Sequence, residues 1–349
     1  MRVLVVSSYP PRRCGIGTYA RDQVEDLRAG GCGVSVLSPH DGAGDLRAEF
    51  LGGRAFLRAA AVGGSFDRLI VHFQPALYYR PRAPLSKVAT SLALLWLVVR
   101  RRRTEIWVHE ADSPVAGRPD YVLLGLAFRL APALVFHTDA ERAALERDYG
   151  FRVRARLAPH RVHASTAAAD MAKEEARARL GLHPGGGPLF VCAGFLQPEK
   201  GFERAVRAFA GAFPEAGDPA GPRLAVVGSV RDETPGRRTH AEALRRACAA
   251  TPGATFLERY LGDEEFDLWV RAADRLVLPY RRSWSSGLLA RARALGTPCL
   301  VAGVGGLAEQ AGPDDDVVAS DEELTAAMAA AAGAAIEPRS AATKGTSSG

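Results

Sequence analysis

Pro279-Tyr280-Arg281-Arg282-Ser283-Trp284-Ser285-Ser286-Gly287-Leu288-Leu289-Ala290-Arg291-Ala292-Arg293-Ala294-Leu295-Gly296-Thr297-Pro298 holds the end of a strand, the opening of a helix and the entry to another strand. The apolar run Arg275 to Leu278 stops at Pro279, Ser285, Ser286 and Gly287 open the helix, and the chain dives into a new apolar run at Pro298. Units of this kind build parallel sheets covered on both faces. The same alternation runs outward along the chain. In the second half, strands are predicted at Leu189 to Ala193, Leu224 to Val227, Thr255 to Leu257, Arg275 to Leu278 and Pro298 to Val301. Helices fall between them at about Phe202 to Phe213, Ala241 to Ala249, Glu264 to Ala272, Leu288 to Leu295 and Glu322 to Ala332.

The first half repeats the pattern. Its predicted strands are Val3 to Ser7, Val34 to Leu37, Arg68 to His72, Glu105 to His109 and Ala133 to Phe136, with helices including Thr18 to Arg28, Ser86 to Arg100, Tyr121 to Leu130 and Ala140 to Tyr149. A polar, alanine-rich connection from His163 to Ala172 separates the halves. The expected fold is therefore α/β, with two Rossmann-like, doubly wound parallel-sheet domains over 1–165 and 166–335 and a disordered tail over 336–349. Ligands bind such sheets at the carboxyl ends of their strands, so a cleft between facing halves is the expected site of chemistry.

The composition narrows the classes. At 349 residues and 47% apolar the chain can build two separate cores, and its 36 glycines and 22 prolines fall between apolar runs as turn residues do. A formal charge of +6 suits an anionic ligand, a nucleic acid or an acidic membrane surface. The arginines are spread along the chain with no aromatic-basic module, which disfavours a nucleic-acid binder. Lys87, Lys173, Lys200 and Lys344 are the only lysines, so a lysine within a motif carries more weight than usual. Five scattered cysteines without a CxxC pair argue against a zinc knuckle or a secreted disulfide framework and fit a reducing cytoplasm. MRVLVVSSYPP lacks the features of a signal peptide and is read as a first strand. The run Val88 to Val99 is short of the roughly 20 apolar residues of a membrane span. Arg100 to Arg103 after it leave a peripheral membrane contact open, with a solvated helix end the preferred reading.

Three loops carry candidate chemistry. Ser7 to Tyr19 follows the first strand and opens a helix, and Gly15 and Gly17 let its backbone approach a ligand beside free amides. It is not a dinucleotide fingerprint, because GxGxxG is absent, and a nicotinamide dehydrogenase is disfavoured for the same reason. Gly194-Phe195-Leu196-Gln197-Pro198-Glu199-Lys200-Gly201 follows a strand and opens a helix, so the Lys200 ammonium can meet the negative charge of a departing diphosphate. Ser285, Ser286 and Gly287, with Gly305-Gly306-Leu307-Ala308-Glu309 downstream, form an anion cradle at a helix start. By themselves these loops specify a phosphate-containing ligand.

In this order the loops resemble those of the family 4 glycosyltransferases of the GT-B superfamily, over Met1 to about Glu309. The resemblance implies an acceptor-binding N-terminal domain, a C-terminal domain holding a nucleotide-diphosphate sugar as donor, retention of anomeric configuration, no cofactor and no required metal. It implies that Lys200 meets the donor phosphates, with Gly194 in its loop, and that Ser285, Ser286, Gly287 and Leu288 cradle the diphosphate. It further implies that His109 stands near the transferred sugar, that Gly15 and Gly17 belong to a loop closing over the donor, and that Glu309, at the end of the late motif, joins the donor site, to which Arg291 is expected to add charge. His72, His137 and His160 also lie near strand ends and are read as structural. Two positions depart from the family: Ser283 and Arg291 stand where it carries paired glutamates, and Phe195 stands where it has an arginine. An arginine cannot accept a hydrogen bond from a ribose hydroxyl, so the donor site is divergent. The implied partners are the nucleotide sugar and a small-molecule or glycan acceptor, in the cytoplasm or at the inner membrane surface. A non-catalytic nucleotide- or sugar-binding partner of another glycosyltransferase, and a nucleotide-sugar epimerase, are the competing functions.

Overall fold

The computed structural model describes residues 1–336 except 161, 184, 185, 219, 232 and 233. The expected tail over 336–349 lies outside the described residues, save Ile336, which closes the last helix. The chain forms two compact units, one of Met1–His163 with Arg282–Arg291 and Val304–Gln310, the other of Ala164–Arg281, Ala292–Gly303 and Ala311–Gly349.

In the first unit the strands are β1 (Arg2–Val6), β2 (Gly33–Ser38), β3 (Leu46–Arg47), β4 (Arg68–Phe73), β5 (Thr104–Val108), β6 (Ala133–Phe136) and β7 (Ala155–Leu157). All pair in parallel, in the order β3-β2-β1-β4-β5-β6-β7. Its helices are α1 (Gly15–Ala29), α2 (Arg54–Val62), α3 (Pro75–Tyr78), α4 (Pro84–Arg100), α5 (Pro119–Leu130) and α6 (Asp139–Tyr149). Successive strand residues point to opposite faces, and the core divides accordingly. Val3 and Val5 join Val24 of α1, Val36 and Ile70 on one face. Leu4 and Val6 join Phe56 of α2, Leu94 and Leu97 of α4, and Leu124 and Phe128 of α5 on the other.

In the second unit the order is β10-β9-β8-β11-β12-β13, again all parallel, from β8 (Leu189–Phe195), β9 (Arg223–Ser229), β10 (Ala254–Glu258), β11 (Arg275–Leu278), β12 (Cys299–Ala302) and β13 (Asp316–Val318). Its helices are α7 (Thr166–Ala169), α8 (Lys173–Arg179), α9 (Phe202–Ala212), α10 (Pro235–Ala249), α11 (Asp263–Ala272) and α14 (Asp321–Ile336). Helix α12 (Gly287–Ala294) packs with the first unit up to Arg291, and α13 (Leu307–Gln310) packs with the first unit throughout. The ten predicted strands are all present. Sequence reading omits β3, β7 and β13, which are edge strands of two or three residues with little or no burial, so no apolar run marks them. It also omits α2 and the polar α8, and the connection after His163 contains α7, capped where the Ser165 hydroxyl accepts from the Ala168 amide at 3.4 Å.

Asp274 fixes the entry to the second sheet. Its carboxylate accepts from Lys173 Nζ at 2.6 Å, from the Leu189 amide at 2.8 Å and from the buried Arg177 guanidinium, so α8 is tied to the start of β8. Burial alone would raise its pKa, but these three donors outweigh burial and lower it. Asp274→Ala would leave the Arg177 charge buried without its carboxylate. A loss of about 3–5 kcal/mol is expected, read as a lower urea midpoint with unchanged slope. A midpoint equal to the wild type would show that Arg177 is satisfied by other groups.

Candidate functional site

Parallel pairing aligns the carboxyl ends of β4, β5, β6 and β7, and each of these ends delivers a histidine: His72, His109, His137 and His160. Adjacent strands lie about 4.8 Å apart, which places neighbouring rings at stacking distance. The centroids of His72 and His109 are 5.1 Å apart, those of His109 and His137 5.3 Å, and those of His137 and His160 3.7 Å. Tyr19 of α1 meets all four rings edge-on at 5.2 to 5.6 Å. Sequence reading singles out His109 alone; the structure brings it together with three histidines read as structural.

The protons of the row can be traced. His72 Nε2 lies 3.0 Å from Gln23 Oε1, an acceptor, so His72 carries its proton there and its Nδ1 accepts from His109 Nε2–H at 2.8 Å. His109 Nδ1 is then the unprotonated nitrogen. His137 Nδ1 donates to the Ala158 carbonyl at 2.8 Å, and His160 Nε2 is 2.9 Å from Ser285 Oγ. Burial is the first cause that depresses all four pKa values, to about 3 for His72, about 4 for His137 and well below the ordinary value for His109 and His160. Neighbouring rings add to this for His72, His109 and His160. The row is neutral at physiological pH. Several buried polar atoms at these strand ends, Ser7 Oγ, Ser8 Oγ, His137 Nε2 and His160 Nδ1, find no hydrogen-bond partner among the described residues. Such atoms are rare in folded proteins.

Ser285 and Glu309, which pack with the first unit, meet it near the same strand ends through His160 and the opening amides of α6. Ser286 Oγ accepts from the Leu289 amide at 3.3 Å and so caps α12, while the Ser286 amide donates to Gln310 Oε1 at 2.7 Å. The Gly287 and Leu288 amides find no acceptor among the described residues, as expected of a helix start open to an anion. A side chain at Gly287 would meet nothing nearer than His160 Nδ1 at 3.9 Å, and one at Gly15 would meet open space, so internal packing demands a glycine at neither position. Gly17 differs, since a Cβ there would press on Ser8 Oγ and the Tyr9 amide at 3.3 Å. Glu309 accepts from the Asp139 and Ala140 amides at 2.7 and 2.8 Å and, with Thr138, satisfies the opening amides of α6. Ser283 donates to the Ser285 carbonyl at 3.0 Å, and Arg291 is buried.

Asp22, Glu25 and His163 gather metal-ligand atoms within 4.8 Å of one another. Both ring nitrogens of His163 face carboxylates, Nδ1 to Glu25 at 3.1 Å and Nε2 to Asp26 at 2.9 Å, which asks for two N–H donors and so for the imidazolium. Partial burial would lower its pKa, but Asp26 and Glu25 outweigh it and raise the value.

The second unit has a candidate site of its own. Lys200 closes a 3-10 turn after β8, and its Nζ lies 3.7 Å from the centroid of the Tyr280 ring just beyond β11. β8 is flanked by β9 and β11, which is where the strand order of this sheet reverses. Lys200 has no carboxylate partner among the described residues. The Glu199 carbonyl accepts from the Arg281 amide at 2.9 Å, clamping the two loops together. Gly201 makes the turn in the left-handed region at φ 61, and a Cβ there would lie 2.3 Å from the Pro279 carbonyl. Gly194, expected in this loop, is instead the penultimate residue of β8, at φ 125. Arg281 pairs with Glu203 at 3.0 Å through Nε, so its charge is already balanced. A cavity of about 330 Å³ beside this turn is lined by Pro198, Glu203, His240, Ala243, Leu244 and Arg281.

Two parallel α/β sheets of this order define the GT-B fold, and solved structures agree over nearly the whole chain. Sucrose-phosphate synthase from Thermosynechococcus elongatus superposes with a TM-score of 0.68 at 19% identity, covering 95% of this chain and 91% of that one. Anabaena Alr3699/HepE in complex with UDP and glucose gives 0.68 at 14%, covering 95% and 89%. Residues 187–337 match the family model described as glycosyl transferases group 1. The D-inositol 3-phosphate glycosyltransferase of Jonesia denitrificans is 32% identical over 189 residues, which cover 50% of this chain and 42% of that protein. The match thus spans less than half the length of this curated relative.

The histidine row sets a pH dependence. Between about pH 6.5, where histidines of the unfolded chain titrate, and the depressed folded values, the unfolded chain binds protons that the fold does not. Stability is therefore fully present above about pH 6.5 and lost as pH falls, by up to about 1.4 kcal/mol per pH unit for each histidine. Urea unfolding followed from pH 8 to about 5 checks this, and His72→Asn is expected to flatten the slope. A flat wild-type profile would contradict the neutral, buried row.

Proposed function

We propose that this protein transfers a sugar from a nucleotide-diphosphate sugar to a small-molecule or glycan acceptor, with retention of anomeric configuration. The observation that carries this reading is Lys200, an ammonium with no carboxylate partner among the described residues, held over the Tyr280 ring where the second sheet reverses its strand order. Open sheets of this class bind ligands there, and a half-buried ammonium favours a diphosphate. The UDP and glucose of the Anabaena complex, and the UDP-2-fluoro glucose of the Escherichia coli trehalose-6-phosphate protein, support a donor of this class.

The donor belongs to residues 166–335 and the acceptor to 1–165. We assign to the diphosphate the Lys200 ammonium, the Gly287 and Leu288 amides and the hydroxyls of Ser285 and Ser286, with Gly194 giving backbone room at the end of β8. Gly15 and Gly17 form the loop that covers the donor, and Arg291 adds charge. His109, kept neutral by burial, stands near the transferred sugar and offers Nδ1 as an acceptor to its hydroxyls. As the glycosidic bond stretches, a donor phosphate oxygen takes the acceptor proton, so the chain's task is positioning and charge neutralisation. Lysine and helix amides supply that positive charge, and the proposal assigns no metal or other cofactor. A donor role for Glu309 competes with its bonds to the α6 amides. The proposed compartment is the cytoplasm.

A second reading, a nucleotide-binding partner of another glycosyltransferase, is favoured by one observation. Ser283 and Arg291 replace the family's paired glutamates, and the Ser283 hydroxyl is committed to the Ser285 carbonyl. Incubation with a panel of nucleotide sugars and acceptors separates the two. Turnover that falls about a hundredfold in Lys200→Ala, without loss of thermal stability, is the expected result. Nucleotide binding by calorimetry with silence across the panel would favour the second reading, and turnover untouched in Lys200→Ala would remove the lysine from the site.

A further inference from the structure

Helices α2, α4 and α5 cover one face of the first sheet, and their inner side chains share one core. Their outer side is apolar as well. Along α4, Leu85, Leu92, Trp96 and Val99 recur at helical spacing on the exposed side, with Leu85 84% and Leu92 and Trp96 each 53% accessible. Helix α5 packs against α4 and exposes Val122, at 66%, together with Leu126 and Leu130. A soluble helix facing water ordinarily puts polar residues on that side. Here a row of large apolar groups, one of them a tryptophan, stands outward on two adjacent helices. Single exposed leucines need no explanation, but a contiguous patch marks an interaction surface.

The exposed charges carried by these helices have one sign. Helices α2 and α4 contain no acidic residue, and the one in α5, Asp120, is buried and paired with Arg118 at 2.6 Å. Arg58 lies on α2, Arg100 ends α4, and Arg102 and Arg103 follow; none of these has a carboxylate partner among the described residues. Arg101 is turned inward, donating to the Ala60 carbonyl at 2.8 Å, and so locks the end of α4 to α2. Arg129 sits on α5 beside Leu130. No helix among the described residues is long and apolar enough to cross a membrane.

We propose that the α4–α5 face docks the protein onto the surface of an anionic lipid bilayer. The apolar row enters the boundary between headgroups and acyl chains, Trp96 sits at headgroup level where an indole with a polar N–H is favoured, and the arginines pair with lipid phosphates. Long arginine stems can lie along the apolar patch while their guanidinium groups reach the headgroups. The absence of exposed carboxylates on these helices removes the repulsion that an anionic surface would otherwise meet. This proposal is independent of the donor assignment, since no residue of the face belongs to either site.

Sedimentation with vesicles of equal parts phosphatidylglycerol and phosphatidylcholine tests it. The wild type is expected to bind these vesicles, and to bind pure phosphatidylcholine at least about tenfold less well. Leu92→Asp with Trp96→Asp, both at exposed positions, is expected to reduce binding about tenfold or more with an unchanged melting temperature. Arg102→Glu with Arg103→Glu is expected to weaken binding and its dependence on anionic lipid. No binding to anionic vesicles, or binding indifferent to the Leu92 and Trp96 changes, overturns the proposal. So does a dimer, seen by light scattering in the absence of lipid, that the same pair of changes dissociates, because the face would then be covered by a second copy.

Discussion

Parallel pairing of strands at a fixed spacing is the constraint on which the first unit's histidine row depends. β4, β5, β6 and β7 run side by side with their carboxyl ends level, so a histidine at the end of each must stand beside the next. Nothing in the spacing of His72, His109, His137 and His160 along the chain announces this. Once stacked and buried, the rings cannot all hold protons, and each is fixed by a partner of its own: Gln23, His72, the Ala158 carbonyl or Ser285. The row is a neutral, polar floor, with Tyr19 packed edge-on against every ring.

The second unit uses the same constraint differently. Its central strand β8 and its neighbour β11 end in loops that are held against one another by the Arg281 amide and the Glu199 carbonyl, with no side chain tolerated at Gly201. That close approach lays the Lys200 ammonium on the Tyr280 ring. An aromatic face partly offsets the cost of withdrawing an ammonium from water and leaves its charge available, whereas a carboxylate partner would cancel it. The serine-glycine start of α12 offers backbone: Ser286 holds the third amide, and the first two find no acceptor among the described residues.

Away from both sites, the helical layer over the first sheet shows what a fold does not require. α4 and α5 bury enough on their inner side to complete the core, and their outer apolar groups add nothing to it. Apolar groups outside the core, beside Arg58, Arg100, Arg102 and Arg103, which have no carboxylate partner among the described residues, form the face proposed to meet lipid.

The sequence by itself determined the two-sheet α/β architecture, because buried parallel strands must be apolar runs and the helices between them must alternate with them. It also marked Lys200 and the Ser285–Gly287 helix start, since a loop between strand and helix is readable from neighbouring residues alone. The edge strands β3, β7 and β13 left no trace in it, because solvent-facing strands need no apolar pattern. Only the tertiary structure decided that His72, His137 and His160 share one cluster with His109, that Glu309 caps α6, and that Leu92 and Trp96 look outward rather than into the core. The physical reason is the same in each case: adjacency between distant residues, and the choice of which side of an apolar helix is buried, are set by packing and not by local preference.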